Sequence, residues 1–514
     1  MKHILLAASF AAALCSALAF SAGRAHADSN LVAARATPTP SPTPLPLPTA
    51  SPEPPQIAIP RLEARLKASP NDRDAMTELA GQFLGLGSQP AAQAALQLTQ
   101  RVMQLGTKTA QVYFLDGAAQ QALNNLPAAT ADLESASNLE PTNLTILSQL
   151  AQLYLKAQPP RYADAERIAN RAVTFNKEEP SAYVDLGIVL AAEQKWDDAR
   201  KQFDQAYALN PKDITPLIQE AQTWVAQNTL PNALTSIERA IAADPKNVRA
   251  LVFRASIYAK QNNIPASAQA FDDAAAAATI DSEKAAIEIQ KALMYSAAKQ
   301  PAQARAVFDA TLRQYPTVSS VHTAYGEYWM ANNQPGRAEQ QFTQAIRVDK
   351  ADTAALVDLV QLKMGQKKPS DAARYLKQLA DVAPNAQTFA LLGQAYVSSH
   401  QYALARAACL QSFQMSKNPD TLACIAGSDY SMKNYKEASS IFNILDKQIR
   451  GYIPQHPDYL YMMAASYAQL NQPAKAVAAY KRLLKMMRPG TSEYKQIQAK
   501  VSVLSKASPA KKKP

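Results

Sequence analysis

A 34-residue period runs through the middle of this 514-residue chain and constrains its fold more than any other feature. Tyr183, Leu217 and Leu251 stand 34 residues apart, and other residues recur at the same interval. The recurring sets are Leu190, Trp224 and Tyr258; Phe203, Ile237 and Phe271; Ala206, Ala240 and Ala274; and Pro211 and Pro245. A period of this length predicts an array of similar units rather than a few unrelated domains.

The most complete copy of the repeat runs from Tyr183 to Pro211. Its other anchor residues, all in register, are Leu186, Gly187, Leu190, Trp196, Ala199, Phe203 and Ala206. This pattern resembles that of the tetratricopeptide repeat family, in which each copy is a pair of helices. The resemblance implies an all-α, right-handed superhelical solenoid of about twelve helix pairs over residues 60–490.

The pattern has a physical reason, because two short amphipathic helices cannot bury both apolar stripes alone. Stacking the pairs buries them, small residues such as Gly187 allow close approach, and proline ends many copies. The 14 glycines of the chain suit such a helical array better than a sheet protein with glycine-rich turns. Asp116, Glu220 and Arg254 stand where the pattern has leucine, so we expect looser packing there.

The N-terminus has the layout of an export signal over residues 1–27. Lys2 precedes an apolar run from Ile4 to Phe20, and Ala25-His26-Ala27 precedes Asp28. We therefore expect cleavage after Ala27 and a periplasmic or extracellular protein. The alternative is an uncleaved membrane anchor, since the apolar run approaches the length that spans a bilayer.

Residues 28–59 are predicted to be a disordered linker, because proline alternates with other residues from Thr37 to Pro55. Such a run adopts extended polyproline geometry and acts as a spacer. A ligand for proline-recognising domains is the alternative. At the other end, residues 491–506 are predicted to form a capping helix, and residues 507–514 a disordered basic tail.

Residue patterns typical of catalysis are missing from the sequence. His322, His400 and His456 are isolated, and no glycine-rich phosphate loop is present. We therefore predict no enzymatic activity, no cofactor and no metal. Removing Lys2 and Arg24 with the signal leaves 51 basic and 42 acidic residues, an excess that we take to be spread along the array. That mild charge would favour anionic membrane surfaces or envelope polymers, but it lacks the basic clusters of nucleic-acid-binding proteins.

The inner face of the array is predicted to carry the binding site, because the first helix of each pair lines it in the family that the chain resembles. Its exposed positions form a neutral file of glutamines, interspersed with residues such as Val225 and Val357. The glutamines are Gln149, Gln152, Gln219, Gln222, Gln290, Gln361 and Gln394. Their amides could satisfy the backbone of a bound polypeptide. The alternative is an ordinary solvated helix face.

Cys409 and Cys424 are the cysteines that remain after removal of the signal. The repeat pattern places them at similar heights on two successive antiparallel helices. In an oxidising compartment such a pair can form a disulfide, whereas two separately buried thiols are the alternative.

The sequence thus predicts a non-catalytic protein-interaction scaffold of the cell envelope that binds a protein or peptide in the groove of the solenoid. An accessory subunit of an envelope polysaccharide-export or pilus-assembly machine is the alternative from another functional class. An enzyme with an unrecognised site would require a pocket of clustered titratable groups.

Overall fold

A computed structural model describes residues 53–449 and 451–507 of the chain. Every regular element in these residues is a helix, and the described chain contains no β-strand. The helices divide into two compact units, an N-terminal unit that ends at Gln300 and a C-terminal unit that begins at Pro301. The all-α solenoid of about twelve helix pairs that the repeat pattern predicts is therefore confirmed.

The N-terminal unit contains six complete helix pairs, from α2–α3 to α12–α13, with α1 before them and α14 after them. Its helices are α1 (Pro55–Ala68), α2 (Arg73–Gly85), α3 (Gln89–Gln104), α4 (Ala110–Ala122), α5 (Leu126–Leu139), α6 (Leu144–Lys156), α7 (Tyr162–Phe175), α8 (Pro180–Ala192), α9 (Trp196–Leu209), α10 (Thr215–Ala226), α11 (Leu230–Ala243), α12 (Val248–Lys260), α13 (Ile264–Ala277) and α14 (Asp281–Ala297).

The C-terminal unit begins with α15 and contains five further pairs. A four-residue helix, α24, interrupts their regular alternation, and α27 follows the last pair. Its helices are α15 (Pro301–Gln314), α16 (Ser319–Ala331), α17 (Pro335–Val348), α18 (Thr353–Gly365), α19 (Pro369–Val382), α20 (Ala386–Ser398), α21 (Tyr402–Met415), α22 (Pro419–Ser431), α23 (Tyr435–Gln448), α24 (Tyr452–Gln455), α25 (Pro457–Gln469), α26 (Pro473–Met486) and α27 (Ser492–Ala507).

A tight turn with one left-handed residue separates the two helices of a pair. In α8–α9 that residue is Gln194, with φ of 63°; its N–H donates to the carbonyl of Ala191, and the N–H of Lys195 donates to that of Leu190. This Schellman arrangement satisfies carbonyls that the helix end leaves open. Left-handed residues also end the first helices of other pairs, at Asn124, Asn228, Asn262, Lys299, Asn333, Lys367, His400, Lys433 and Asn471.

Close packing within a pair depends on the glycine of the repeat. A Cβ atom on Gly187 would overlap the ring of Phe203, and one on Gly326 would overlap the ring of Phe342. Both phenylalanines are fully buried in the cores of their own units. The glycine and aromatic positions of the pattern are therefore one packing contact, repeated along the chain.

Polar pairs replace the apolar contact where the pattern lacks leucine. Asp116 is buried and accepts a hydrogen bond from Thr99, and Glu220 is buried beside the guanidinium of Arg239, at 3.2 Å. Arg254 donates to Asp273 at 2.6 Å. Each of these side chains is therefore held by a polar partner at a position where the pattern has an apolar contact.

The ends of the helical region differ slightly from the predicted boundaries. Helix α1 begins at Pro55, inside the segment assigned to the linker, because a proline is well tolerated in the first turn of a helix. The final helix spans Ser492–Ala507, close to the predicted cap. The predicted export signal, most of the linker and most of the basic tail lie outside the described residues. Among the described helices, none has the length and apolar character needed to cross a bilayer.

Candidate functional site

The first helices of successive pairs in the N-terminal unit lie side by side. Helix α6 contacts α8, and α8 contacts α10. A hydrogen bond from the Ser148 hydroxyl to the carboxylate of Asp185 joins α6 to α8. Residues that point away from the second helices on α6, α8 and α10 therefore share one surface, which we call the inner face. We use the same name for the corresponding side of α12 and α14.

Five of the seven predicted glutamines belong to first helices of the N-terminal unit, α6, α10 and α14. These five are Gln149, Gln152, Gln219, Gln222 and Gln290. Gln361 on α18 and Gln394 on α20 belong to the C-terminal unit. Gln222 and Gln361 are exposed, and the other five are half-buried. The predicted single file is thus divided between two units, and its larger part lies in the first.

Gln149 differs from the other six glutamines in the surroundings of its amide. Its Oε1 atom is buried and accepts no hydrogen bond from any described residue. A buried carbonyl oxygen without a donor is costly, and a turn of the half-buried amide toward the inner face would let a ligand N–H supply that donor. Gln149 follows Ser148, whose hydroxyl is already engaged by Asp185.

Asp185 is the inner-face residue that the sequence analysis missed. It occupies the same repeat position as Gln149 and Gln219, so it lies between them in the file, and reading that position through every copy would have found it. Burial raises the pKa of its carboxyl to about 6, although the hydrogen bond from Ser148 favours the ionised form. The inner face therefore places one titratable acceptor among neutral amides.

Apolar side chains flank these polar groups. Ile188 on α8, Val225 on α10 and Phe253 on α12 are each half-buried, so a ligand could cover surface that the fold leaves partly open. In the C-terminal unit, Val357 on α18 remains 39% exposed. Apolar contact combined with neutral hydrogen bonds is what an extended or helical polypeptide requires.

One cavity of the described chain lies away from the inner face. Its volume is about 620 Å³, and it is lined mainly by α11, including Leu234, Glu238 and Arg239. Helix α11 is a second helix, so this shallow depression is separate from the glutamines. We place the candidate site on the inner face, because the glutamines and the half-buried apolar side chains lie on first helices.

Cys409 on α21 and Cys424 on α22 are joined in the structure by a disulfide, with Cα atoms 6.2 Å apart. Both residues are buried, and Cys409 fills the place that phenylalanine occupies in other copies. Gly393 on α20 makes room for it, since a Cβ atom there would overlap the sulfur of Cys409.

The three histidines remain apart from one another. His322 contacts Gln341, His400 contacts Tyr402, and His456 packs against the rings of Tyr452 and Tyr459. Across residues 53–449 and 451–507, no group of three histidine, cysteine or carboxylate side chains is arranged to hold a metal ion.

Comparison with protein families supports the repeat assignment. Models described as tetratricopeptide repeats match residues 180–213, 218–282 and 330–395. These matches lie in both units and include the 34-residue period from which the repeat was first recognised. No curated protein sequence matches the chain.

Solved structures with similar repeats show low identity. Yeast Tom70 is 15% identical, with 77% of this chain and 95% of that chain covered and a TM-score of 0.36. A thermophilic protein of Thermus thermophilus, TTC0263, is 20% identical, with coverages of 36% and 98% and a TM-score of 0.30. YrrB, described as having an unusual peptide-binding site, is 19% identical, with coverages of 37% and 95% and a TM-score of 0.30. The assignment of the repeats therefore rests on the family models.

Proposed function

Because this chain belongs to the tetratricopeptide repeat family, we propose that it is a non-catalytic protein-interaction scaffold of the cell envelope. The inner face of its N-terminal unit binds a protein or peptide segment. The predicted export signal in residues 1–27 supports this location.

One observation carries the binding proposal: the row of glutamines on α6, α10 and α14, with the unsatisfied Oε1 atom of Gln149 among them. Each amide offers two donors and one acceptor, which match the carbonyls and N–H groups of a ligand backbone. Half-buried Ile188, Val225 and Phe253 supply apolar contact beside them. The other polar groups of this row are neutral amides, and Asp185 is the acid among them. Recognition should therefore depend on hydrogen bonds and apolar burial more than on charge pairs.

Peptide selection followed by substitution tests this proposal. A random peptide display library is selected on the immobilised protein, and the dissociation constant of the best synthetic peptide is measured by calorimetry. Replacing Gln219, Gln222 and Gln290 together with alanine should weaken binding at least about tenfold, because each lost hydrogen bond contributes on the order of 0.5 kcal/mol or more. Binding should change little between low and high salt.

A matched control removes three glutamines from second helices. Gln93 and Gln97 on α3 and Gln205 on α9 are all exposed, so their replacement with alanine removes the same groups from the outer surface. This control should bind the peptide as the unmodified protein does. If the inner-face variant binds unchanged while the control variant loses binding, the inner-face assignment is wrong.

A further inference from the structure

The net charge of the chain is concentrated at its C-terminal end rather than spread along the array as the sequence analysis assumed. Residues 53–470 contain 39 Lys and Arg against 40 Asp and Glu. Residues 471–514 contain eleven basic residues and a single acid, Glu493. The repeat array is therefore neutral, and its last two helices and the tail carry the excess.

Five exposed cations from this region define what we call the C-terminal basic face. They lie on α26, on α27 and in the loop between them: Lys481, Lys485, Arg488, Lys495 and Lys506. In the described part of the chain, none of the five forms an ion pair. The other cations there are engaged: Arg482 forms two 2.7 Å hydrogen bonds to Asp446, and Lys475 and Lys500 lie over tyrosine rings.

Helix periodicity places three of the five cations, Lys481, Lys495 and Lys506, toward the end of the described array. Arg482 reaches back to Asp446 on α23, so its edge of the exposed side of α26 faces α23. Lys481 lies at the other edge and is turned away from α23. On α27, Ile497 is buried against the core, and Lys495 and Lys506 project from the opposite side of the helix. The face thus occupies the end of the array, where no further pair is stacked in the described chain.

Large apolar side chains are exposed among these cations. Val503 lies on the outer side of α27 with 68% of its surface exposed, and Met486 at the end of α26 is 41% exposed. Isolated exposed apolar residues need no explanation, but cations interspersed with them are typical of surfaces that lie on anionic membranes.

The opposite end of the array lacks this arrangement. On α1, Arg61 is paired with Glu53 and Glu78 at 2.9 and 2.8 Å, and Arg65 with Asp72 at 2.6 Å. Acids compensate those cations, so the uncompensated charge is a property of the C-terminal end and not of helical caps in general.

We propose that the C-terminal basic face docks the protein on the surface of an anionic lipid bilayer. The cations would lie at the headgroup phosphates, and Val503 and Met486 would enter the boundary between headgroups and acyl chains. The inner face of the N-terminal unit takes no part in this contact.

Vesicle binding of the full chain tests the proposal. The protein is mixed with vesicles of phosphatidylcholine alone and with vesicles that contain about 30% phosphatidylglycerol, and the bound fraction is measured by sedimentation. The apolar run at residues 4–20 partitions equally into both, so the ratio of the two affinities reports the basic face. Replacing Lys481, Lys485 and Lys495 with glutamine should lower that ratio about 100-fold, at roughly fivefold for each cation near the surface. A change from about 50 to about 500 mM salt should lower it as well.

Two further variants make the result decisive. Lys177→Gln, Lys212→Gln and Lys246→Gln together remove the same charge from exposed positions of the N-terminal unit, and this control should keep the full ratio. Val503→Ser should weaken binding to phosphatidylglycerol vesicles about fivefold without affecting binding of soluble polyphosphate. Equal loss in the two triple variants overturns the proposal. Binding of polyphosphate with no effect of Val503→Ser on vesicles would also overturn it, in favour of a soluble polyanion.

Discussion

The two units share one repeat but differ in how they use the positions that the repeat leaves free. The N-terminal unit presents neutral amides on its inner face and contains the carboxyl groups with raised pKa, Asp132, Asp185 and Glu288. The C-terminal unit contains the disulfide and the uncompensated cations. The glycine, alanine and aromatic positions fix the fold of both, so the remaining positions can give each unit a separate role.

Loss of the disulfide is the largest effect expected to distinguish the units. Reduction should lower the free energy of unfolding of the C-terminal unit by about 3 kcal/mol, the loop-closure value for a 15-residue separation. The N-terminal unit should unfold as before. Hydrogen exchange measured by mass spectrometry, with and without reductant, follows the two units separately. Thiol counting on unfolded, unreduced protein should detect no thiol from Cys409 or Cys424; finding both would remove the basis of this difference.

Sequence patterns predicted the parts of the molecule that depend on spacing alone. The period indicated the helix pairs and the positions of glycine and aromatic residues. The contact between those two positions within one pair, as in Gly187 and Phe203, came from the structure. The partner of a polar side chain at a leucine position of the repeat could not be predicted from spacing. Asp116 meets Thr99 of the preceding pair, and that contact depends on the path of α3 against α4. A count along the sequence gives the excess of cations after residue 470, but the exposure of their side chains is known only from the structure.

Acidity should have opposite effects on two carboxyl groups, Asp132 in the N-terminal unit and Glu339 in the C-terminal unit. Burial, together with the hydrogen bond and charge of neighbouring Asp116, raises the pKa of Asp132 to about 7. Because the folded-state pKa lies above the unfolded one, this contribution is complete below about pH 4 and is lost as the pH rises through about 7. In the C-terminal unit, Lys363 holds the pKa of Glu339 below its usual value, so that contribution is lost on acidification.

Denaturant unfolding at about pH 5 and about pH 8 checks this difference. The N-terminal unit should be less stable at the higher pH, by on the order of 1 kcal/mol given partial solvent screening. Asp132→Asn should reduce this dependence, and Asp185, whose pKa burial raises to about 6, should account for part of the remainder. Glu339→Gln serves as the control in the other unit and should leave this change unaltered. An N-terminal unit that gains stability as the pH is raised would show that the carboxyl is ionised when folded.

The smallest expected effect is common to both units. Gln194 in the N-terminal unit and Lys367 in the C-terminal unit adopt left-handed backbone conformations, with φ of 63° and 59°. Glycine adopts this conformation without steric cost, so Gln194→Gly and Lys367→Gly should each stabilise their own unit by about 0.5 kcal/mol. Thermal unfolding followed by hydrogen exchange measures this, and a loss of stability in either variant would mean that the side chain contributes more than its backbone strain costs.

Photo-crosslinking of a selected peptide tests the division of roles most directly. A benzophenone group is placed at successive positions of the peptide, and the crosslinked residues of the full chain are identified by mass spectrometry. The account predicts crosslinks to α6, α8 and α10, near Gln149, Asp185 and Gln219, and the same pattern when Lys481, Lys485 and Lys495 are replaced with glutamine. Crosslinks confined to the C-terminal unit, or to second helices such as α9 and α11, would contradict it.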